Sequence, residues 1–398
     1  LNALYRKKYA TCHRQYSLGV PFTERFWELA RKGDGDRERA GFVGMITANS
    51  FMKREFGSKL IEQWLPNHDL THLIDTSGAY IPGHGTPTVI VFGRSRRPRL
   101  TTVRAVMGIR GEPSTPADAA QGLVWTSIVD TLDRPGVTTD FVSVADLERR
   151  RLHTHPWSIG GGGGAELKDR LEDDRGRLSK AIEHIGYTGQ TNADDALLAS
   201  RRQHARALMN PGLLRMVVVG ETIRDWRISE SEWSFFPYKD EHVINIDTEI
   251  ETLRRLWPFR TTLWARATFS KLTYRAEGRP WWEWHQIALH RLRTPLSIAC
   301  PRVATHNHFV LDRGGTVFKQ TAQVIKLPAG TTEEEHLDLV GVLNSSTACF
   351  WLKQVAHNKG STVDAKGARQ TTDPFENFYD LDGSKLQAFP LPRSMPRA

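Results

Sequence analysis

Residues 41–60 read GFVGMITANSFMKREFGSKL and residues 71–94 read THLIDTSGAYIPGHGTPTVIVFGR, and the fold turns on these two stretches. The run 42–47 is short and apolar, bounded by Gly41 and Asn49, as a strand buried on both faces requires. Ser50 opens a polar–apolar pattern that predicts a helix to about Trp64, closed by Pro66. Residues 73–75 and 88–92 predict two further strands, the second β-branched and apolar. Between them, residues 77–87 are rich in Gly and Pro around one aromatic, Tyr80. A stiff loop that carries an aromatic at a sheet edge suits binding, and a tight turn with a half-buried tyrosine suits the same letters.

Working outward, Phe22, Phe26, Trp27 and Ala30 stand at helical spacing before a Gly/Asp loop at 33–36. Helix, strand, helix, strand is the grammar of an open α/β sheet. Residues 100–107 alternate like a strand and suit an antiparallel edge. A doubly wound domain needs about five strands and a nucleotide loop. The strands here are too few, and the chain opens on Leu1 rather than Met, so the missing ones are expected upstream.

Residues 111–139 are rich in Pro, Ala, Thr and Asp and read as a linker, followed by a strand-like FVSVADL at 141–147. The glycines at 160–164 invite a phosphate-loop reading, but no Lys-Ser/Thr pair follows them, and a flexible hinge is expected instead. Residues 165–185 predict a charged amphipathic helix. From Ile185 onward a second domain of mixed type is expected. Strands are predicted at 216–219, 297–300, 308–311 and 323–326, and helices at 257–269 and 334–352. The domain boundaries fall at 1–110, 111–165 and 166–398. Aromatics are dense in the last of these, with Trp281, Trp282 and Trp284 among them, interleaved with Arg and His. That mixture suits stacking on bases as well as an ordinary core or rim.

Composition bounds the function. The chain has 398 residues, 39% of them hydrophobic, with a mean hydropathy of −0.45. No apolar run approaches the ~20 residues a membrane span needs. Cys12, Cys300 and Cys349 are far apart and lack metal-ligand spacing, which makes a reducing cytoplasm the default and a structural zinc unexpected. Net charge is +9. By successive hundreds it is +7, −4, +5 and +1, an excess spread over two regions that suits a polyanion surface. A genome that prefers Arg to Lys gives the same balance.

Catalytic constellations are absent from the letters. His153 and His155, like His306 and His308, form i,i+2 pairs without a third ligand nearby. Neither a Gly-x-Ser-x-Gly elbow nor a His-Glu-x-x-His motif occurs. Asp194 and Asp195 are adjacent, so their side chains diverge, and a loop role fits them better than acid–base work.

The order of the motifs nonetheless resembles a known family. GFVGMITANSFM and AYIPGHGTPTVIVFGR are similar to segments of the methyltransferases that modify adenine at N6 in DNA, related to TaqI and the type IIG restriction-modification proteins. IGYTGQTNADDALL, ETIRDWRISESEWSFFPY, RVATHNHFVLDRGGTVF, LVGVLNSSTACFWLKQ and the terminal LQAFPLP look like pieces of that family's specificity domain. HTHPWSIGGGG, PWWEWHQIAL and HNHFVLDRGG resemble the methyltransferase of type 2 BREX phage-defence systems in particular. The resemblance covers nearly the whole chain.

It implies an α/β fold: the C-terminal part of a Rossmann-like sheet that uses S-adenosylmethionine, then a mixed α+β target-recognition domain. Double-stranded DNA is the implied partner, with other phage-defence proteins beside it. The cofactor loop and the Asn-Pro-Pro-Tyr/Phe motif are expected before residue 1, since no such tetrapeptide occurs here, and the segment alone is expected to be inactive. Tyr80 takes the place of the aromatic that stacks on the extruded adenine, with Asn49, Ser50, Phe51 and Pro82 near that pocket. DNA contacts are expected from Trp281, Trp282, His285, Arg302, His306, His308, Lys353, Lys359 and Arg369. A second reading makes the chain a DNA-binding specificity module without chemistry of its own. A third, a sugar- or nucleotide-modifying enzyme, leaves the recognition domain unexplained.

Overall fold

The computed structural model describes residues 2–33, 39–173, 175–360 and 377–395. Two compact units divide the chain. One holds Leu1–Asp174 with Phe350–Asp380, the other Arg175–Cys349 with Leu381–Ala398. These divisions fall at other points than the composition suggests.

The first unit is built on five strands: β1 (Phe42–Ala48), β2 (Asp69–Asp75), β3 (Thr88–Arg94), β4 (Thr102–Gly108) and β5 (Val142–Glu148), in the order β1-β3-β2-β4-β5. β3 runs antiparallel to both its neighbours, and β4 runs parallel to β2. The carboxyl ends of β1, β2 and β4 therefore share one edge. Both faces are apolar, as alternation along the strands shows. Leu73 and Ala105 join a core with Trp27 and Ile61, while Ile74 and Val106 join one with Val124 and Ile128. Helix α1 (Asn2–Lys8) opens the chain, and α2 (Gly19–Leu29) supplies Val20 and Trp27 to the first core. Helix α3 (Leu123–Thr131) covers the other face.

Several expectations need correction, among them the helix predicted at 165–185, which ends at Glu172. Residues 50–64 do not form one helix, but short 3-10 turns at Asn49–Met52 and Glu55–Gly57 followed by a π turn at Leu60–Trp64. Arg54 is extended, and the backbone doubles back so closely that a Cβ on Gly57 would lie 1.9 Å from the Phe51 carbonyl oxygen. Strand β4 is no edge, because it pairs with β2 on one side and β5 on the other. Residues 111–139 contain α3, whose first amides Leu123 and Val124 donate to the Glu112 carboxylate at 2.8 and 3.0 Å. The start of the glycine run is packed, whereas Gly162 and Gly163 are exposed. A Cβ on Gly161 would lie 2.7 Å from both the Met107 carbonyl oxygen and Ser143 Oγ. Gly163 then caps α4 (Gly164–Glu172) from the left-handed region.

The second unit holds two four-stranded sheets. In one, Leu214–Val218 pairs in parallel with Thr316–Phe318 and antiparallel with Trp233–Phe235. In the other, Ser297–Pro301 lies between Val310–Asp312 and Ala322–Lys326. The predicted helix at 334–352 is two, Glu333–Leu343 and Ser346–Val355. Asn344 breaks it, exchanging two 2.8 Å hydrogen bonds with the Phe309 backbone. At 257–269 only Arg260–Trp264 is α-helical. No helix among the described residues is long and apolar enough to cross a membrane.

Candidate functional site

The loop after β2 is fixed at both ends. Thr76 and Thr88 share a 2.7 Å hydroxyl hydrogen bond where it opens and closes. The Ser77 amide donates to Asp75 Oδ1 at 2.9 Å, and the Asn49 amide donates to the Pro87 carbonyl at 2.9 Å. In the middle, the His84 amide donates to the Ile81 carbonyl at 3.1 Å, with Pro82 and Gly83 between them and Gly83 at φ +68. That is the geometry of a Pro-Gly type II turn, which needs glycine at its second central position. A further tie joins the loop to the segment after β4, where the Glu112 amide donates to the Gly78 carbonyl at 2.9 Å. Tyr80 is thus half-buried on a backbone with little freedom.

Tyr80 lines a pocket of about 190 Å³ at the carboxyl ends of β2 and β4, the position where open α/β sheets bind ligands. Asp75, Arg110, Glu112, Asn358 and Tyr379 line it too. The Asp75 side chain lies over Gly108, where a Cβ would come within 2.8 Å of its Oδ2. Glu112 already caps α3, which holds its carboxylate in place. Two tyrosines, carboxylate and amide groups and a cation around a small cleft suit a planar polar ring with an attached anion.

The other expected pocket residues lie on the same edge of the sheet but outside this cleft. Phe51 is in the core, its ring edge-on to Trp157 at 5.8 Å. The Ser50 carbonyl accepts from the Arg54 amide at 2.8 Å. Pro82 stands in the turn beside Tyr80.

The expected DNA contacts divide between the units. In the second unit Trp281 is 5% exposed, edge-on to Trp257 and Trp282. Trp282 Nε1 donates to the Ile244 carbonyl at 3.0 Å. His285 packs against Phe269, and burial with Arg279 and Arg266 lowers its pKa. His308 is buried, and burial, His306 and Arg224 push its pKa down to about 4. His306 shares a hydrogen bond with Thr305, and Arg302 is exposed. Asp194 accepts from Lys319 and Thr191, a structural role. In the first unit Lys353 holds its ammonium 5.4 Å from the Tyr379 ring centroid, and Lys359 is exposed. Arg369 lies outside the described residues. Asn358, Tyr379 and Arg110 escape the sequence reading. No cluster of three or more His, Cys, Asp or Glu that could hold a metal occurs among the described residues.

No family model matches the chain. The adenine-specific methyltransferase PglX of Streptomyces coelicolor is 47% identical over 402 residues, covering all of this chain and 33% of that protein. The chain thus spans about a third of the length of the relative it matches. Among solved structures, the type IIG restriction endonuclease BpuSI aligns with 98% of this chain and 45% of its own (TM-score 0.38, 12% identity). The type IIL restriction-modification enzyme MmeI, in complex with DNA, aligns with 84% of this chain and 38% of its own (TM-score 0.45, 12% identity). Those structural likenesses are loose. The resemblance to adenine-specific methyltransferases drawn from the motifs holds across the whole chain.

Proposed function

We propose that this chain serves adenine-N6 methylation of duplex DNA, its first unit holding the extruded adenine and its second unit reading the target sequence. The observation that carries the reading is Tyr80, fixed by the Pro-Gly turn at the mouth of a polar pocket on the carboxyl edge of the sheet. The 47% identity to an adenine-specific methyltransferase supports it. A base drawn out of a duplex loses its stacking partners. An aromatic face restores about 1–3 kcal/mol of that loss. A loop already ordered before binding gives this contact without a further ordering cost.

On this reading the five strands are the C-terminal part of a Rossmann-like methyltransferase sheet, and the second unit is the target-recognition domain. The setting we propose, cytoplasmic phage defence beside partner proteins, rests on the resemblance alone. S-adenosylmethionine is the implied methyl donor. The part we assign to this chain is to hold and orient the base.

The test is mass spectrometry of DNA digested after incubation with the full-length protein and S-adenosylmethionine. N6-methyladenine is expected. Methylated cytosine, or no methylated base, overturns the proposal.

A further inference from the structure

The first unit is completed by residues 350–380, and this late segment carries side chains that the reading above leaves unused. His357–Gly360 and Phe378–Asp380 pair antiparallel, with Asn358 opposite Tyr379 and His357 opposite Asp380. Directly opposed residues in such a ribbon share a face, and successive residues alternate between faces. Asn358 and Tyr379 therefore stand side by side, and both line the pocket that Tyr80 lines.

The pocket is of mixed charge, with the carboxylates Asp75 and Glu112 beside Arg110, and further cations lie around the ribbon. Lys353 lies over the Tyr379 ring. His357, on the opposite face, is held down to about 4 by burial first and then by Arg54, Lys359 and Lys53, with Asp380 opposing them. Arg110 lines the pocket from the segment after β4. An amide that both donates and accepts, a second aromatic and several cations match the parts of a nucleotide: base edge, ring face and phosphate.

We infer that the Asn358–Tyr379 face is the second wall for the extruded nucleotide, with Asn358 hydrogen-bonding its edge, Tyr379 packing against it and Lys353 drawing in the flanking phosphodiester. This inference rests on the proposed adenine methylation. It makes these residues binding and positioning groups, opposite Tyr80 and supplied from the far end of the chain.

The experiment uses the full-length protein and a duplex bearing its own site, located by methylation sequencing of a host that expresses it, with 2-aminopurine in place of the target adenine. Binding of the unaltered protein is expected to raise the probe's fluorescence as the base leaves the stack. Asn358→Ala and Tyr379→Ala are expected to suppress that rise and to increase KM for the unmodified duplex about tenfold, with kcat changed less. Tyr379→Phe keeps the ring and is expected to retain the signal. Asn358→Asp preserves shape and removes the donor, so it is expected to match Asn358→Ala even if the smaller side chain unsettles the ribbon. Lys353→Gln is expected to lower the salt slope of duplex binding by about one. Melting temperatures equal to that of the unaltered protein separate lost contact from lost fold. Unchanged fluorescence and KM in the Asn358 and Tyr379 variants, with Tyr80→Ala deficient in both, overturns the second wall and leaves the methylation reading standing. If Tyr80→Ala is also unaffected, the pocket itself is misassigned and the second wall falls with it, whereas adenine methylation is decided separately by the mass spectrum.

Discussion

Asp69→Asn should destabilise the first unit more than any exposed substitution. Asp69 opens β2 and is 2% exposed. Its Oδ2 accepts from Arg96 Nε at 2.8 Å and its Oδ1 from Arg149 Nη2 at 3.2 Å. The two arginine side chains are only 13% and 10% exposed, and burial lowers the pKa of Arg149 against the pull of Asp69. Arg149 follows β5 and also donates to the Leu100 carbonyl at 2.8 Å. The triad thus ties β2, β3 and β5 together at the sheet edge away from the Tyr80 pocket. Asparagine keeps the shape and removes the charge, leaving two buried guanidinium groups without their counter-ion. Breaking a buried pair in this way costs about 3–5 kcal/mol. For a unit of about 200 residues, at ~2–4 °C per kcal/mol, the melting temperature of the first unit should fall by about 6–20 °C. Differential scanning calorimetry of the chain reads this directly. Adding Arg149→Met to Asp69→Asn should recover part of the loss, because the second buried charge is then gone. A fall of less than about 2 °C refutes the reasoning and makes the triad a screened surface cluster.

Three further outcomes are expected. Gly161→Ala, whose new methyl meets the Met107 carbonyl, should lower the urea midpoint by an amount equivalent to about 1–3 kcal/mol, whereas a true hinge would tolerate it. Arg266→Lys should cost the second unit about 2–4 kcal/mol by calorimetry. The guanidinium donates to the Leu263, Thr191, Trp281 and Glu283 carbonyls over the Tyr274 ring, a fork that an ammonium cannot reproduce. His308 and His357 are held at about 4 against an ordinary 6.5, chiefly by burial. Between those values the unfolded chain takes up protons that the folded chain does not, so stability should fall as pH drops from 6.5 toward 4. Urea midpoints across that window should flatten in His308→Asn and His357→Asn.

The strands of the first unit are legible because each is a short apolar run between turn residues, and β1, β2 and β3 stand where those runs predict. The pairing of β4 is not legible, since local alternation does not say which neighbours a strand will have. The helix expected after Ser50 is broken where Arg54 turns extended, which periodicity does not show. The glycine run misleads at its start, where Gly160 and Gly161 serve close packing, because small residues permit packing as readily as motion. Around the pocket, the turn that carries Tyr80 is legible from the Pro-Gly punctuation around one aromatic. Asn358 and Tyr379 are not, lying about 280 positions or more beyond Tyr80 with no periodic pattern to mark them. Lys353 and Lys359 are recognisable as cations, but their place in the first unit leaves no mark in composition.

The central claim is that Tyr80 replaces the stacking an adenine loses on leaving the duplex. The most direct measurement is the single-turnover rate of N6-methyladenine formation by full-length protein with and without Tyr80→Ala, on a matched target and on one whose adenine is mispaired. A lost contact of about 1–3 kcal/mol predicts a rate ~5- to 150-fold lower on the matched target. Part of that rate should return on the mispaired target, where extrusion is easier. Equal rates for the two proteins on the matched target would contradict the claim.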